Sequence, residues 1–133
     1  MKILVDTDIL LDVALKRARL FEDSAGVLEW AESEPGQAAV AWHSLSNLAY
    51  LVRPDARGFI RDLLRFAVVA PTSTEAAVQA LAFPMKDFED ALQAAAALAF
   101  GGMFIVTRNL SHYKNSPVPA ISPEQFLAKL KSE

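Results

Sequence analysis

Met1-Lys2-Ile3-Leu4-Val5-Asp6-Thr7-Asp8 opens the chain. Ile3-Leu4-Val5 is an unbroken apolar run, the pattern of a strand buried on both faces rather than one with a wet side. Such strands belong to parallel sheets covered by helices, and here the run ends abruptly in acid. In an open parallel sheet the functional crevice lies outside the carboxyl ends of the strands. A carboxylate at the mouth of a central strand is partly desolvated, so it needs a hydrogen bond, a charged partner or a cation. Asp6 is therefore the first candidate functional residue.

Working outward, short β-like runs alternate with amphipathic segments. Helical stretches are predicted from about Ile9 to Lys16 and from about Phe21 to Ala31. Gln37 to Ala41 reads as a second strand, running into a helix with Trp42, Leu45, Leu48, Ala49 and Val52 at helical spacing. Pro54 suits the first turn of the next helix, whose apolar stripe is Phe59, Ile60, Leu63 and Leu64. Phe66 to Ala70 reads as the third strand, and Thr72 and Glu75 are spaced as a capping box for a helix through Ala80. Asp87 to Phe100 is almost all Ala and Leu after its first turn, the composition of a buried helix. Gly101-Gly102 ends it, and Met103 to Val106 is the fourth strand, with a short fifth near Ala120. Ser122-Pro123-Glu124-Gln125 opens the last helix with a cap and a first-turn proline. The alternation predicts an α/β fold with a mostly parallel sheet of four to five strands, one domain over residues 1–133.

Composition narrows the function classes. A hydrophobic fraction of 53% excludes wholesale disorder, and the absence of cysteine excludes disulfides, thiolate zinc sites and cysteine nucleophiles. Thirteen basic against sixteen acidic residues, a net charge of −3, exclude binding nucleic acid by bulk charge, so such a partner must be held locally. Acid after three apolar residues comes too early for a signal peptide, and no apolar run approaches the roughly 20 residues of a membrane span. The expectation is a soluble, cytoplasmic protein with no membrane partner.

The polar residues fall at the strand ends. Asp8 is the better-placed cap for the first helix, which frees Asp6 for other work. Asp87 is placed to cap the Ala-rich helix, and Asp90 starts its buried stretch and should point inward more than Glu89. If Asp90 faces Asp6, the two carboxylates repel and a hard cation such as Mg²⁺ or Mn²⁺ suits the oxygen ligands. Capping and metal binding stand side by side for this helix start. Thr107-Arg108-Asn109 is either a plain strand-end turn or a set of neutral oxygens with a phosphate-seeking guanidinium. Asn47 reads as a satisfied amide on an apolar-sided helix, and His43 and His112 as structural or surface residues. Arg57, Arg61 and Arg65, joined by Arg53, form a basic ridge that is either a solvated face or a phosphate-tracking surface. Lys16, Arg17 and Arg19 carry the same two readings.

Three segments together resemble one family. Val5-Asp6-Thr7-Asp8-Ile9-Leu10-Leu11-Asp12 is similar to the opening of PIN-domain proteins, the fold of VapC-like toxin ribonucleases. Asp87-Phe88-Glu89-Asp90-Ala91-Leu92-Gln93-Ala94-Ala95-Ala96-Ala97 resembles their third-acid helix, and Ile105-Val106-Thr107-Arg108-Asn109 the strand and turn that follow it. The resemblance implies a three-layer α/β/α sandwich and an acid cluster that binds Mg²⁺ or Mn²⁺ and hydrolyses RNA phosphodiesters with an activated water. By motif position Asp6 matches the first family acid and Asp90 the third, with Asp8 and Asp87 in reserve. Asn47 stands where the family often has Glu, Asn109 where many members have Asp, and His112 where an Asp often follows. The implied roles are metal binding for Asp6 and Asp90, orientation of water or a ligand carboxylate for Asn47 and Asn109, and local support from Thr7 and Thr107. RNA phosphate contacts would fall to Arg108, Arg57 and Arg61. The implied partners are an RNA substrate, an antitoxin protein and a second copy of the chain. The alternative is a PIN fold with weak or lost catalysis that acts through protein or RNA binding. A phospho-acceptor receiver is excluded, since Ala70-Pro71 ends the third strand where the acceptor acid is needed, and Pro119-Ala120 stands where its lysine belongs. A dinucleotide enzyme is excluded because no glycine-rich loop follows the first strand.

Overall fold

The structure is a computed structural model describing residues 1–133. Chain order is β1 (Ile3–Val5), α1 (Thr7–Ala14), α2 (Phe21–Ser33), β2 (Ala38–Val40), α3 (Trp42–Leu51), α4 (Ala56–Leu63), β3 (Val68–Val69), α5 (Thr74–Ala82), α6 (Phe88–Phe100), β4 (Phe104–Val106), β5 (Ala120–Ile121) and α7 (Pro123–Lys131), with a 3-10 turn at Leu110–Tyr113 before β5. The five strands lie in the order β3-β2-β1-β4-β5 and every neighbouring pair is parallel. The chain winds from β1 to β2 and β3 on one side, then crosses to β4 and β5 on the other. The direction of winding reverses between β1 and β4, which is where ligands enter folds of this kind. No helix is long and apolar enough to cross a membrane.

Side chains alternate along the strands and build two cores. Ile3, Val5, Ala38, Val40 and Val106 face α1, α2, α3, α4 and α7 through Ile9, Leu10, Val27, Leu48, Leu63 and Phe126. Leu4, Ala39 and Ile105 face the other way, onto Ala94, Ala96 and Ala97 of α6 and onto Tyr113 and Val118. This is the three-layer α/β/α arrangement. The alanine face lets α6 lie close against the sheet, and α5 packs on its far side through Ala80, Ala91 and Ala95. Gly101 closes α6 in the left-handed region at φ 77°, where a side chain would be strained. Ala94 is fully buried, so Ala94→Leu forces extra volume between helix and sheet. The expected cost is about 1–3 kcal/mol, read as a lower urea midpoint with an unchanged slope.

Several local expectations are corrected. Asp6, not Asp8, is the cap of α1: its carboxylate accepts from the Thr7 N–H at 2.7 Å, and Asp8 sits in the first turn. The helix begins two residues earlier than Ile9 because Thr7 and Asp8 already take helical geometry under that cap. Ser73, not Thr72, caps α5, accepting from Ala76 N–H. Pro54 lies before the α4 cap, Asp55, rather than inside the first turn. Trp42 is 66% exposed although it fits the apolar spacing of α3. By contrast, Asp87 caps α6, and Ser122 with Gln125 forms the full reciprocal capping box of α7, both as expected.

Candidate active site

Strands β1 and β4 end side by side, and each hands its next residue to one site. Asp6 is 6% exposed and Thr107 fully buried. The Asp6 Oδ1 caps α1, while Oδ2 accepts from Thr107 Oγ1 at 2.8 Å and from the Tyr113 hydroxyl at 2.9 Å. Burial pushes the Asp6 carboxyl above its ordinary range, with a further push from Glu89, against the downward pull of these hydrogen bonds.

Asp90 reaches the same hydroxyl from the first turn of α6: Tyr113 OH lies 3.4 Å from Asp90 Oδ1. The 3-10 turn thus wedges one phenol between two carboxylates 84 positions apart in the sequence. Asp90 Oδ2 faces outward and meets His112 Nδ1 at 3.2 Å. Partial burial, Asp87 and Asp6 raise the Asp90 carboxyl, and His112 and Tyr113 draw it back. Burial and the two acids push the Tyr113 hydroxyl well above the usual tyrosine range, so it stays a donor.

The remaining candidate residues form a collar. Asp8 Oδ2 accepts from Arg108 N–H at 3.0 Å and from the Asn109 amide at 3.1 Å, which ties α1 to the turn after β4. Thr7 Oγ1 and Ser44 Oγ are 2.7 Å apart, and the Gln93 amide donates to both, at 3.0 and 2.9 Å. His43 Nε2 lies 3.3 Å from the same amide, and burial lowers its basicity. Asn47 donates to Glu89 Oε1 at 3.0 Å, which places an unexpected acid at the rim. Both histidines therefore touch groups of the site rather than serving only as surface residues. Tyr113, Gln93, Ser44 and Glu89 were not picked out by the sequence. A single glutamine inside an alanine run was the one local signal available.

Asp8 gives a pH signature. Burial and Asp6 push its carboxyl up to about 6, and its Oδ1 is buried without a partner. The folded chain keeps this proton where the unfolded chain, with an ordinary aspartate near pH 4, has lost it. The group therefore favours folding below about pH 4, and that contribution is lost as pH rises through about 6. In the presence of a chelator, Asp8→Asn is expected to gain melting temperature relative to wild type between about pH 4.5 and about pH 7.5. A difference independent of pH would contradict this assignment.

Not every buried acid is of this kind. Asp12 is fully buried, but Arg108 Nε lies 2.7 Å from its Oδ2, Ser24 Oγ donates at 2.9 Å, and Arg17 Nη1 is 3.5 Å from its Oδ1. Arg108 is thus engaged inward, while Arg57 and Arg61 lie exposed on α4 with no contact to the acid pair. The largest cleft, about 730 Å³ between α1, α2 and α4, also lies apart from it, walled by Leu28, Phe59, Leu63 and Phe66 with Glu29 and Glu32 at its edge. The cleft that does open on Asp90 and His112 is polar, about 630 Å³, between residues 84–90 and 111–115.

A parallel sheet with paired acids at its switch point defines a class, and comparison with known proteins assigns it. A family model described as the PIN domain matches residues 2–111. The chain belongs to the PIN-domain family. Among solved structures it is similar to VapBC2 from Rickettsia felis bound to a DNA fragment from its promoter, with TM-score 0.71 and 16% identity over 92% of this chain and 98% of that one. A toxin-antitoxin complex from Klebsiella pneumoniae gives TM-score 0.69 at 20% identity, covering 92% of this chain and 98% of the other. FitAcB from Neisseria gonorrhoeae gives 0.61 at 14% identity, with 92% and 98% covered. At these identities the likeness is one of fold. No curated protein matches the sequence significantly.

Proposed function

We propose that this chain is a metal-dependent endoribonuclease that hydrolyses RNA phosphodiester bonds, the toxin of a toxin-antitoxin pair. One observation carries the reading. Asp6 and Asp90 share a single tyrosine hydroxyl, both are held above the ordinary carboxylate range, and no lysine or arginine pairs with either. Asp12, a few residues away, has two arginines. Asp6 is met only by neutral donors and Asp90 only by Tyr113 and His112, and acids without a lysine or arginine at the ligand-entry point suit a cation that arrives from outside the protein.

The structure brings together no group of three or more potential metal ligands, so the fit to Mg²⁺ or Mn²⁺ rests on two carboxylates. Both groups are hard oxygen donors, and Mg²⁺ commonly takes one or two carboxylates while keeping waters and accepting substrate phosphate. Asp6 and Asp90 would hold the ion, which when bound supplies an acidified water and neutralises charge on the phosphate. Around them, Thr107 and Tyr113 fix the Asp6 carboxylate, and Tyr113 keeps Asp90 close to it. Asn109 holds Asp8 back toward the turn, and Asn47 steadies Glu89 at the rim. Thr7, through Ser44 and Gln93, anchors the start of α1 to α3 and α6. Asp87 caps α6 and so sets the direction in which Asp90 leaves the helix.

The antitoxin reading rests on the fold likeness to toxin-antitoxin complexes and on the large apolar cleft with its acidic edge, which suits a partner segment of apolar and basic side chains. A second copy would pack against Trp42, Val78 and Leu81, which are exposed on α3 and α5.

The test is incubation of a mixed RNA pool with Mn²⁺, with Mg²⁺ and with chelator. Cleavage is expected with either metal, none with chelator, and a drop of about 100-fold or more for Asp90→Asn, at least the loss seen for outer-shell partners of metal ligands. Intact RNA with folded, metal-loaded wild type would move the assignment to a binding protein of the same fold.

A further inference from the structure

We infer that the polar cleft between residues 84–90 and 111–115 is the path of the RNA strand beside the cleavage site, with Lys86 and Lys114 as its phosphate contacts. The inference rests on the ribonuclease reading above and adds to it a binding surface distinct from the arginine ridge of α4. The cleft holds about 630 Å³ and one of its nine lining residues is hydrophobic, a volume within the range of small-ligand sites. Asp90 and His112 belong to its lining, so anything lying in it touches the candidate catalytic pair. Lys86 stands on the wall that leads into α6, and Lys114 on the wall that follows the 3-10 turn. Neither lysine is paired with a carboxylate, so both can meet an anion, although Asp87 and Asp90 share the lining and their charges must be offset by the proposed cation.

The walls are tied together: the Asn115 amide donates to Pro84 O at 3.3 Å. The cleft is thus bridged at one point and carries a lysine on each wall. In a chain of net charge −3 that lacks any bulk attraction for RNA, contacts of this kind must supply the electrostatic part of binding. Ser111 and Asn115 add neutral groups suited to phosphate and sugar oxygens. His112 is the one aromatic ring in the lining and offers a single base a sequence-tolerant stacking face.

The α4 ridge is the competing surface. Arg57 and Arg61 are equally exposed, but no carboxylate of the candidate site reaches them, and a strand bound there gains nothing in position toward Asp6 and Asp90.

The experiment measures binding of a fluorescent single-stranded RNA by anisotropy, with Mg²⁺ present, in the full chain carrying Asp6→Asn to prevent cutting. Salt is varied between about 50 and about 200 mM. Each single-strand phosphate contact contributes about 0.7 to the slope of log affinity against log salt. Lys86→Ala with Lys114→Ala is expected to lower the slope by about 1.4, and to weaken binding about 25-fold near 0.1 M salt from that same slope. Arg57→Ala with Arg61→Ala is expected to leave both unchanged. In the cleaving protein the lysine pair should raise KM far more than it lowers kcat. An unchanged slope in the lysine variant, or a loss that follows Arg57 and Arg61 instead, overturns the inference. Binding that depends on the lysines without any cleavage by wild type keeps the cleft and removes the nuclease reading. Cleavage indifferent to the lysines keeps the nuclease and removes the cleft. Failure to bind or cut RNA at all removes both.

Discussion

Asp6→Asn is expected to abolish metal-dependent RNA cleavage, by about 100-fold or more, while the protein stays folded and melts at the same temperature or higher. The two halves of this result come from different oxygens. Asparagine keeps a carbonyl oxygen to cap α1 at Thr7 N–H, so the helix start survives. The partners on the other side are hydroxyls, Thr107 and Tyr113, which can turn and accept from the new amide. What is lost is charge, and it is charge the fold tolerates poorly: burial raises the Asp6 carboxyl, so at neutral pH the ionised form opposes folding. Removing it relieves the apo protein while taking away half of the proposed metal site. Calorimetric titration with Mn²⁺ alongside the cleavage assay checks both halves. Full activity in Asp6→Asn would place the chemistry elsewhere. A collapse in melting temperature would mean the residue is needed for folding alone.

Arg108→Met is expected to destabilise the fold by about 2–3 kcal/mol, since it strands a buried carboxylate. Asp12 would keep Ser24 and the more distant Arg17, but lose its 2.7 Å charge-assisted bond. Losing one partner of a buried ion pair typically costs about 3–5 kcal/mol. Arg108 is partly exposed and Arg17 remains, so the expected cost falls at or just below the low end of that range. For a chain of this size that is a fall in melting temperature of about 10 °C. Replacing Asp12 with Leu in the same background is expected to recover part of the loss, because the uncompensated charge leaves with it. If Arg108→Met melts like wild type, the ion pair contributes nothing and the guanidinium is available for other work.

Much of the fold was legible because its signals are local. Ile3-Leu4-Val5 declared a strand buried on both faces, and its side chains do split between the two cores, with Leu4 facing α6 and Ile3 and Val5 facing the other helices. Ser122 with Gln125, and Asp87 at the head of the alanine helix, carried their caps in the spacing itself. The errors also have local causes. Thr72 and Ser73 are adjacent hydroxyl residues, both able to cap, and only the backbone decides between them. Trp42 fits the helical spacing of α3, but its face is left uncovered. The spacing of Asp6 and Asp8 suggests separate tasks, whereas Asp6 uses one oxygen for the cap and the other for the site. Tyr113 could not be found from the sequence, because its hydroxyl acts on residues 107 and 23 positions away. Nothing in Ser-His-Tyr-Lys predicts that reach.

The wedge of Tyr113 between Asp6 and Asp90 also has a consequence in time. Asp6 is among the first residues to be synthesised, and its partner hydroxyl comes 107 residues later. At about 5–20 residues per second, that is a delay of about 5–20 seconds. During that interval the emerging chain has β1 and the first acid but no phenol to bring the second acid to it. A nascent chain cannot assemble this site while most of it is still on the ribosome. Under the proposed function, the acid pair would be complete only once nearly the whole chain has been made.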